Sequence, residues 1–359
     1  KGVHFASDLP SDLEGLLTRH PLDDSALLSR ARDGIGRLKA LHLSKYNLSD
    51  PTATPPPPGY VLVIDQTKGD ASITHGAATG ATFREMLFVA MDEHPGARIL
   101  IRTHPETMAG HRPGHYAPED RAMGNIDFAD PALSPQALLE GAVAVYTVSS
   151  LMGFEAILAG HRPHVFGQPF YAGWGLTDDR QPVWRRQRKL TRAQLFAAAM
   201  ILYPTWYDPC RDRLCSFEEA VDQLEAEVRA FRQDRAGHVA VGQRLWKRAH
   251  LQRFFGREAP VWFRRTDRAA AGAVAGGRTA LVWGKTPCDL APLLRIEDGF
   301  LRSRGLGADL VPPLSLVADA RGLYYDPSQD SDLDQLVTAG PPPGGEERAR
   351  RLIRKLTQA

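Results

Sequence analysis

The chain has 359 residues, of which 43% are hydrophobic and 24% are charged, enough for a large core and two or three domains. Its formal net charge of +2 argues against a broad nucleic-acid-binding surface, and no run approaches the ~18 apolar residues of a membrane span. The 3 cysteines fit neither a disulfide framework nor a four-ligand metal pattern, which favours a reducing cytoplasm.

The N-terminal region is predicted to be helical. Ser11 is a candidate N-cap, and leucines recur at helical spacing through residues 11–43. The stretch PTATPPPP at 51–58 is predicted to be a stiff connector, because proline fixes φ and lacks the backbone N–H that a helix needs.

Residues 59–166 alternate between strand and helix patterns. The predicted strands lie at 59–64, 97–102, 142–148 and 164–166, and the predicted helices at 81–94, 134–142 and 151–159. This alternation is typical of a parallel sheet with helices on both faces, in which ligands bind beyond the carboxyl ends of the strands. We therefore expect three polar motifs to share one rim of the sheet: DQTKGD (65–70), THP (103–105) and SS (149–150).

Several side chains on this rim suit chemistry. Asp65 and Asp70 could act as acid, base or nucleophile, or could only stabilise the turn between them. His104 could donate a hydrogen bond to a phosphate or carry a proton. Ser149 and Ser150 stand where a strand turns into a helix, which makes them either an anion site or simple N-caps.

The second half of the chain begins with a basic stretch, RQPVWRRQRKLTR, within residues 178–234. It is interpreted as a solvated face, or alternatively as a surface for acidic lipid or anionic glycan. Helices are predicted at 191–202 and 216–233, an Ala/Gly-rich linker at 236–277, and a new α/β unit from residue 279. No phosphate loop and no G-x-G-x-x-G opening a helix is present, which disfavours a kinase or nicotinamide enzyme.

Two segments of the chain resemble each other. KGVHFASDLPSDLEGLL at 1–17 aligns with GLYYDPSQDSDLDQLV at 322–337, and RARDGIGRL at 30–38 aligns with RARRLIRKL at 348–356. The spacing is too long for a solenoid repeat and indicates a tandem duplication of a whole domain, cut at both ends. A metal-binding role for Asp330-Ser331-Asp332 is disfavoured, because the other copy has Pro10 where Asp330 stands.

Five segments together resemble the capsule polysaccharide biosynthesis and export protein family typified by KpsC and LpsZ. They are DQTKGD at 65–70, HP at 104–105, SSLMGFEAILAG at 149–160, GQPFYAGWGLTDD at 167–179, and EDGFLRSRGLG with PPLSLVADARGLYYD at 297–326. The resemblance implies an α/β fold with Rossmann-like parallel sheets of the two-domain glycosyltransferase B type, from a tandem duplication.

In family order the EDG half of each module precedes the HP/SS half, so the two halves here come from different copies. The implied domains are the end of the first-copy N-terminal subdomain with a crossover helix (1–50), the first-copy nucleotide-binding subdomain with C-terminal helices (59–235), the linker (236–277), and the start of the second-copy N-terminal subdomain (278–359).

The resemblance also implies an activity. These proteins transfer β-Kdo, an eight-carbon acidic sugar, from CMP-Kdo to a lysophosphatidylglycerol-based glycolipid with retention, building the linker needed for capsule export. The implied setting is the cytoplasmic side of the inner membrane, with other capsule synthesis and export proteins as partners and without a metal or further cofactor. A non-catalytic nucleotide-sugar-binding scaffold is the alternative, and a nucleotide-sugar epimerase is a third reading.

The family's roles carry over to matching positions here. The implied catalytic carboxylates are Asp65 as nucleophile, Asp70 as the second choice for that role, and Glu297 as acid/base of the second module. The implied nucleotide-binding residues are His104, Pro105, Ser149, Ser150, Gly153 and Glu155, and the implied substrate-binding residues are Gln66, Tyr171 and Arg302.

Overall fold

The computed structural model describes residues 2–341 and 345–358. The chain divides into two compact units, residues 1–225 and residues 226–359. Both are α/β with mostly parallel sheets, which confirms the predicted fold class.

The first unit contains eight strands in its described residues: β1 (Tyr60–Ile64), β2 (Ile99–Arg102), β3 (Ile126–Phe128), β4 (Ala142–Thr147), β5 (His164–Val165), β6 (Asp178–Asp179), β7 (Trp206–Asp208) and β8 (Arg213–Cys215). Its helices are α1 (Asp12–Arg19), α2 (Ser25–Ala40), α3 (Ala71–His75), α4 (Gly80–Glu93), α5 (Pro105–Met108), α6 (Pro135–Gly141), α7 (Leu151–Ala159), α8 (Arg192–Phe196) and the start of α9 (Phe217–Asp234). A 3₁₀ helix forms at Pro118–Met123, and α8 continues into a π-helical segment at Ala197–Leu202.

The second unit contains β9 (His238–Val241), β10 (Trp262–Arg264), β11 (Thr279–Trp283), β12 (Leu293–Asp298) and β13 (Leu316–Asp319). Its helices are α10 (Leu245–Phe255), α11 (Asp267–Ala275), α12 (Asp332–Ala339) and α13 (Gly345–Thr357), with a 3₁₀ turn at Gly307–Asp309.

The first unit is organised by a six-stranded sheet in the order β3-β2-β1-β4-β5-β6, with every pair parallel. This is the doubly wound Rossmann order, whose direction of winding reverses between β1 and β4. The second sheet has the order β10-β9-β11-β12-β13, in which only β13 is antiparallel to its neighbour. A ligand site is expected at the reversal point, beyond the carboxyl ends of β1 and β4.

The central strand β1 is buried along its whole length because helices cover both faces of the sheet. Val61 and Val63 pack into the core on one face, while Tyr60, Leu62 and Ile64 pack into the core on the other. The two-residue alternation of a strand therefore divides one apolar run between two cores.

The predicted helix over residues 11–43 is interrupted in the structure. Ser11 caps α1 as expected, its side chain accepting from the N–H of Glu14 at 3.1 Å. α1 ends at Arg19, and α2 begins only at Ser25. Pro21 lies between them and cannot donate the backbone hydrogen bond that would continue the helix.

Residues 236–277 were predicted to be a linker, but they form β9, α10, β10 and α11 instead. β9 lies inside the second sheet, between β10 and β11, and all four of its residues are buried. The Ala-rich stretch forms α11, in which Ala270 and Ala273 are buried. Small side chains allow this helix to approach the sheet closely, so the composition that suggested a linker here belongs to a packed helix.

Three arginines of the basic stretch make contacts inside the first unit, where the sequence suggested a solvated face or a lipid surface. The Arg186 side chain is 2% exposed and pairs with the buried Glu14 at 3.0 Å, and Arg185 pairs with the same carboxylate. Arg188 donates to backbone carbonyls within residues 17–21. These arginines therefore tie the N-terminal segment to the rest of the first unit.

The internal repeat recurs as local structure. Ser331 caps α12 as Ser11 caps α1, each accepting from the backbone N–H three residues ahead. Gly2 and Gly322 each lie against the backbone just before that serine, where an added Cβ would be 2.5 Å and 2.8 Å from a carbonyl oxygen. Both copies therefore use the same small residue to bring two backbone segments together.

We expect the buried pair of Glu14 to matter for stability. Glu14→Gln keeps the shape of the side chain but leaves two guanidinium groups without a carboxylate, which costs about 3 kcal/mol of unfolding free energy. Chemical denaturation of the chain measures this loss. The matched control is Asp127→Asn, because the pair of Asp127 with Arg121 is half exposed and is worth about 0.5 kcal/mol. Equal losses in the two variants would contradict the structural role of Glu14.

Candidate functional site

The three predicted rim motifs meet in one pocket of about 460 Å³, which lies at the carboxyl ends of β1, β2 and β4. The sequence-predicted residues that line it are Asp65, Gln66, Asp70, His104, Pro105, Ser149, Ser150, Glu155 and Tyr171. Their convergence follows from the sheet order, since β1 lies between β2 and β4 and all three run in the same direction.

Gln66 joins the ends of β1 and β4. It is 2% exposed, and its side-chain oxygen accepts from the backbone N–H of Ser149 at 2.9 Å. Its amide nitrogen donates to the hydroxyls of Ser149 at 3.1 Å and Ser72 at 3.3 Å. Gln66 therefore holds Ser149 in place at the buried base of the pocket.

Asp65 is almost fully buried, with 1% exposure. One carboxylate oxygen accepts from the backbone N–H groups of Gln66 at 2.8 Å and His115 at 3.0 Å. The other oxygen has no hydrogen-bond partner within the part of the chain that the structure describes. Burial raises the pKa of Asp65 to about 6, although the backbone donors oppose the shift.

Gly114 makes this burial possible. An added Cβ at Gly114 would lie 2.3 Å from the unpaired oxygen of Asp65. The loop that follows α5 thus passes directly over the carboxylate, and Asp65 anchors that loop through the N–H of His115.

Asp70 occupies a more open position on the same turn. It caps α3, one carboxylate oxygen accepting from the N–H of Ser72 at 2.9 Å. Its side chain is partly exposed and lines the pocket. Of the two aspartates, Asp70 is therefore the one that a ligand in the pocket can reach more readily.

His104 is held in a defined orientation at the end of β2. Its Nδ1 accepts from the N–H of Glu106 at 3.2 Å, so the neutral ring carries its proton on Nε2. Burial lowers the pKa of His104, which favours that neutral form. Pro105 begins α5, where its fixed φ suits the first helical position.

Ser150 caps α7, its hydroxyl oxygen accepting from the N–H of Met152 at 3.3 Å. Tyr171 is fully buried and donates its hydroxyl proton to the Ser150 carbonyl at 2.6 Å. Gly153 leaves room for this contact, because an added Cβ would lie 2.3 Å from the Tyr171 hydroxyl. Gly153 and Tyr171 therefore shape the turn from behind.

Glu155 lines the pocket from the next turn of α7. Its carboxylate accepts from the Ser44 hydroxyl at 2.7 Å and from the backbone N–H of Lys45. Burial raises the pKa of Glu155 to about 7, and the charges of Arg102 and Lys45 oppose the shift. The residue is thus close to half ionised near neutral pH.

The pocket also contains a cation that the sequence did not indicate. Lys45 lines it. Burial lowers the pKa of both His4 and His104, and the charge of Lys45 adds to this lowering. The neighbouring Tyr46 meets the His104 ring edge to face at 5.8 Å. Both residues belong to SKYN at 44–47, which follows α2 and carries no pattern that indicates a site.

The remaining predicted residues, Glu297 and Arg302, belong to the second unit. Glu297 lies at the end of β12 and accepts from the indole N–H of Trp283 at 3.0 Å. Arg302 pairs with Asp298 at 2.8 Å. These side chains form their own polar cluster at the carboxyl end of the second sheet.

Two kinds of feature are absent from the described residues. Residues 2–341 and 345–358 contain no group of three or more His, Cys, Asp or Glu side chains that could hold a metal ion. Over the same residues, no helix is long and apolar enough to cross a membrane.

Comparison with known proteins identifies similar sequences. A family model described as capsule polysaccharide biosynthesis protein matches residues 28–206 and 289–357. The capsule polysaccharide modification protein LipA of Neisseria meningitidis serogroup B is 36% identical over 360 residues, covering 94% of this chain and 51% of LipA. The lipopolysaccharide-processing protein LpsZ of Rhizobium meliloti is 38% identical over 237 residues, covering 63% of this chain and 52% of LpsZ. The chain thus spans about half the length of these curated relatives.

Two solved structures are also similar. One is the β-Kdo 2,4 transferase of Thermosulfurimonas dismutans KpsC, with 36% identity and a TM-score of 0.58 over 62% of this chain and 70% of that chain. The other is the β-Kdo 2,7 transferase of the same KpsC, with 30% identity and a TM-score of 0.52 over 63% of this chain and 70% of that chain. Their similarity in fold agrees with the parallel α/β sheets described above.

The raised pKa of Glu155 predicts a pH-dependent stability difference. Between the unfolded and folded pKa values the folded chain binds more protons, so the wild type loses stability as pH rises, by up to about 1.4 kcal/mol per pH unit. Glu155→Gln keeps an acceptor for Ser44 but cannot ionise, so we expect it to gain stability relative to wild type from about pH 5 to pH 8. Urea denaturation across this range measures the difference. Glu140→Gln, at an exposed glutamate, should show no such trend. A stability difference between Glu155→Gln and wild type that does not change with pH would contradict the raised pKa of Glu155.

Proposed function

The chain belongs to the capsule polysaccharide biosynthesis family, as its motifs predicted, and on that premise we propose that it is part of a Kdo transferase that acts in capsule biosynthesis. The observation that carries the proposal is the pocket of the first unit. Hydrogen-bond donors that suit a phosphate, the charge of Lys45 and three carboxylates meet there at the reversal point of a Rossmann-ordered sheet. A sugar nucleotide presents the complementary groups: a phosphate, a ribose and a transferable sugar.

We propose CMP-Kdo as the donor. The CMP phosphate would accept from Nε2–H of His104 and would lie at the positive end of the α7 helix dipole, next to Ser150. Lys45 would add a positive charge on the same side of the pocket. Glu155 would face the ribose hydroxyls, since its carboxylate lines the pocket one helical turn beyond Ser150.

The transfer is proposed to retain configuration through two displacements. In the first, a carboxylate oxygen bonds to the anomeric carbon while the bond from that carbon to the phosphate oxygen breaks, and CMP leaves with the electron pair. In the second, the acceptor hydroxyl oxygen bonds to the same carbon, the enzyme carboxylate leaves, and the hydroxyl proton passes to a base. Two inversions restore the original configuration.

The exposure of the two aspartates in the structure reverses their order as candidate nucleophiles. The sequence favoured Asp65, but its carboxylate is buried under the loop at Gly114 and engaged by backbone N–H groups. Asp70 is partly exposed at the pocket. We therefore propose Asp70 as the nucleophile, with Asp65 holding the loop and Gln66 positioning Ser149.

Further parts of the proposal rest on the family. Glu297 is proposed as the acid/base group of the second unit, and the acceptor is proposed to be a lysophosphatidylglycerol-based glycolipid that carries Kdo. The proposed setting is the cytoplasmic side of the inner membrane, together with other capsule synthesis and export proteins. The donor itself supplies the leaving group, so the proposed reaction includes no metal or further cofactor.

We expect the chain to bind CMP in preference to UMP, and His104→Ala to weaken CMP binding by at least about tenfold, because a charge-assisted hydrogen bond is lost. Isothermal titration calorimetry measures both affinities. His111→Ala is the matched control, because His111 is exposed and lies outside the pocket. A folded chain that binds neither nucleotide would favour a scaffold without donor specificity.

The nucleophile can be identified by trapping. We expect incubation with CMP-Kdo to give a Kdo adduct that intact-mass spectrometry detects in the wild-type chain. Asp70→Asn should abolish the adduct, because its amide cannot displace CMP, whereas Asp65→Asn should still form it. Peptide mapping then identifies the modified residue, and an adduct on Asp65 would reverse the assignment.

A further inference from the structure

The first unit contains a second pocket, for which the proposed donor site has no use. Its volume is about 330 Å³, and all the residues that line it lie between positions 35 and 224, within the first unit. It is bordered by α2, α6, α7, the π-helical segment, β7 and α9. The pocket adjoins the donor pocket, because the same residues line both: Ser44, Lys45, Pro135, Leu151 and Glu155.

Most of the residues that line this second pocket alone are apolar. Trp206 belongs to its wall, and the indole N–H donates to the Met200 carbonyl at 2.9 Å, so the polar atom of that ring is satisfied within the protein. Phe217 meets the Trp206 ring edge to face at 5.7 Å. A buried water needs roughly two to four polar partners, which an apolar wall does not offer. The wall therefore suits an apolar ligand better than water.

The second pocket lies beside a tightly packed contact. An added Cβ at Gly34 of α2 would lie 2.8 Å from the rings of Phe196 and Phe217. The helices thus meet closely at Gly34, yet Ile35 and Leu38 on α2 stay only partly buried where they line the pocket. Voids larger than one water molecule are few in a domain, because protein interiors pack as densely as organic crystals. A cavity of this size therefore favours a ligand site.

One wall of the second pocket comes from an irregular helix. Met200 lies in the π-helical segment Ala197–Leu202. Such segments are rare and frequently occur at functional sites. None of the described residues that line the donor pocket belongs to this segment, so its irregular geometry is associated with the second pocket.

The charged groups at the second pocket favour an anionic head group on an apolar ligand. Lys39 and Lys45 line it, and both are exposed. Lys39 lies 3.8 Å from Glu140, but both side chains are about half exposed, so solvent weakens this pair. Glu155 also lines the pocket, and burial raises its pKa to about 7, which reduces its negative charge near neutral pH. The local charge is therefore mainly positive, which attracts an anion.

We propose that this second pocket binds the single acyl chain of a lysophospholipid, the lipid end of the glycolipid acceptor, with the head-group phosphate near Lys39. Its volume accommodates roughly ten to fifteen methylene groups at the packing density of a protein interior, which corresponds to one acyl chain and not to two. The inference rests on the proposed transferase function and adds an anchor for the second substrate. The shared residues Ser44 and Lys45 place that anchor next to the donor pocket.

The test is calorimetric titration of lysophosphatidylglycerols into the whole chain, with acyl chains from hexanoyl to hexadecanoyl, each below its critical micelle concentration. We expect the affinity to rise by about fourfold for each added methylene group, because each one leaves water. The rise should stop once the chain fills the pocket, at roughly ten to fifteen carbons. An affinity that does not depend on chain length, or that still rises at hexadecanoyl as in adsorption to an open surface, would overturn the proposal.

Decanoylglycerol tests the head group, because it has the same acyl chain as the decanoyl lysophosphatidylglycerol but no phosphate. We expect it to bind about threefold more weakly, and Lys39→Met to remove most of that difference. Equal affinity of the two ligands for the wild-type chain would overturn the assignment to a phospholipid.

Ala220→Phe tests the position of the acyl chain. Ala220 lines the second pocket from α9 and does not line the donor pocket, so the added ring takes the space of several methylene groups. We expect decanoyl lysophosphatidylglycerol to bind at least about tenfold more weakly. Ala230→Phe is the matched control, because Ala230 is exposed on the same helix and does not line the pocket. Leu158→Phe is the second test variant, and circular dichroism checks that each variant is folded.

CMP titrated into the same samples separates this inference from the proposed function. Chain that binds CMP but no lysophosphatidylglycerol would overturn the acyl-chain pocket and leave the donor site intact. Equal lipid affinity in Ala220→Phe, Leu158→Phe and Ala230→Phe would also overturn it. Lipid binding that levels off with chain length and that only Ala220→Phe and Leu158→Phe weaken supports it, whether or not CMP binds.

Discussion

The site of the first unit depends on the hydrogen bonds between the Gln66 side chain and Ser149. Gln66 follows β1 and Ser149 follows β4, so this contact closes the gap where the sheet order reverses. Gln66 satisfies the N–H of Ser149, and Ser150 accepts from the N–H groups of Met152 and Gly153 in the first turn of α7. The polar groups of the pocket are therefore arranged around a junction that is itself buried and saturated.

Three buried carboxylates show how surroundings set the charge of a residue. Two arginines contact Glu14, and their charges lower its pKa although burial opposes this. Backbone N–H groups donate to Asp65, and burial raises its pKa to about 6. Glu155 accepts from a hydroxyl and a backbone N–H, and burial raises its pKa to about 7. The charged Glu14 thus serves structure, while burial brings the pKa values of Asp65 and Glu155 close to neutral pH.

The two units present different chemistry on related scaffolds. The rim of the first combines a neutral histidine, helix N–H groups and carboxylates, which suits a phosphate and a reacting sugar. The rim of the second combines cations with indoles. The shared caps at Ser11 and Ser331 show that the duplicated segments kept their local structure.

The sequence by itself determined the elements whose signals are local. The helix predicted at 151–159 is α7, and Gly160 ends it in the left-handed conformation, with φ of 112°. The rim was predictable too, because parallel strands necessarily bring their carboxyl ends to one edge. Only the tertiary structure decided which charges are buried and which side chains reach the pocket. Arg186 is buried because Glu14 lies opposite it, and Lys45 enters the pocket because the loop after α2 folds over the rim. Both outcomes depend on contacts between residues distant in the chain, which neither periodicity nor composition encodes.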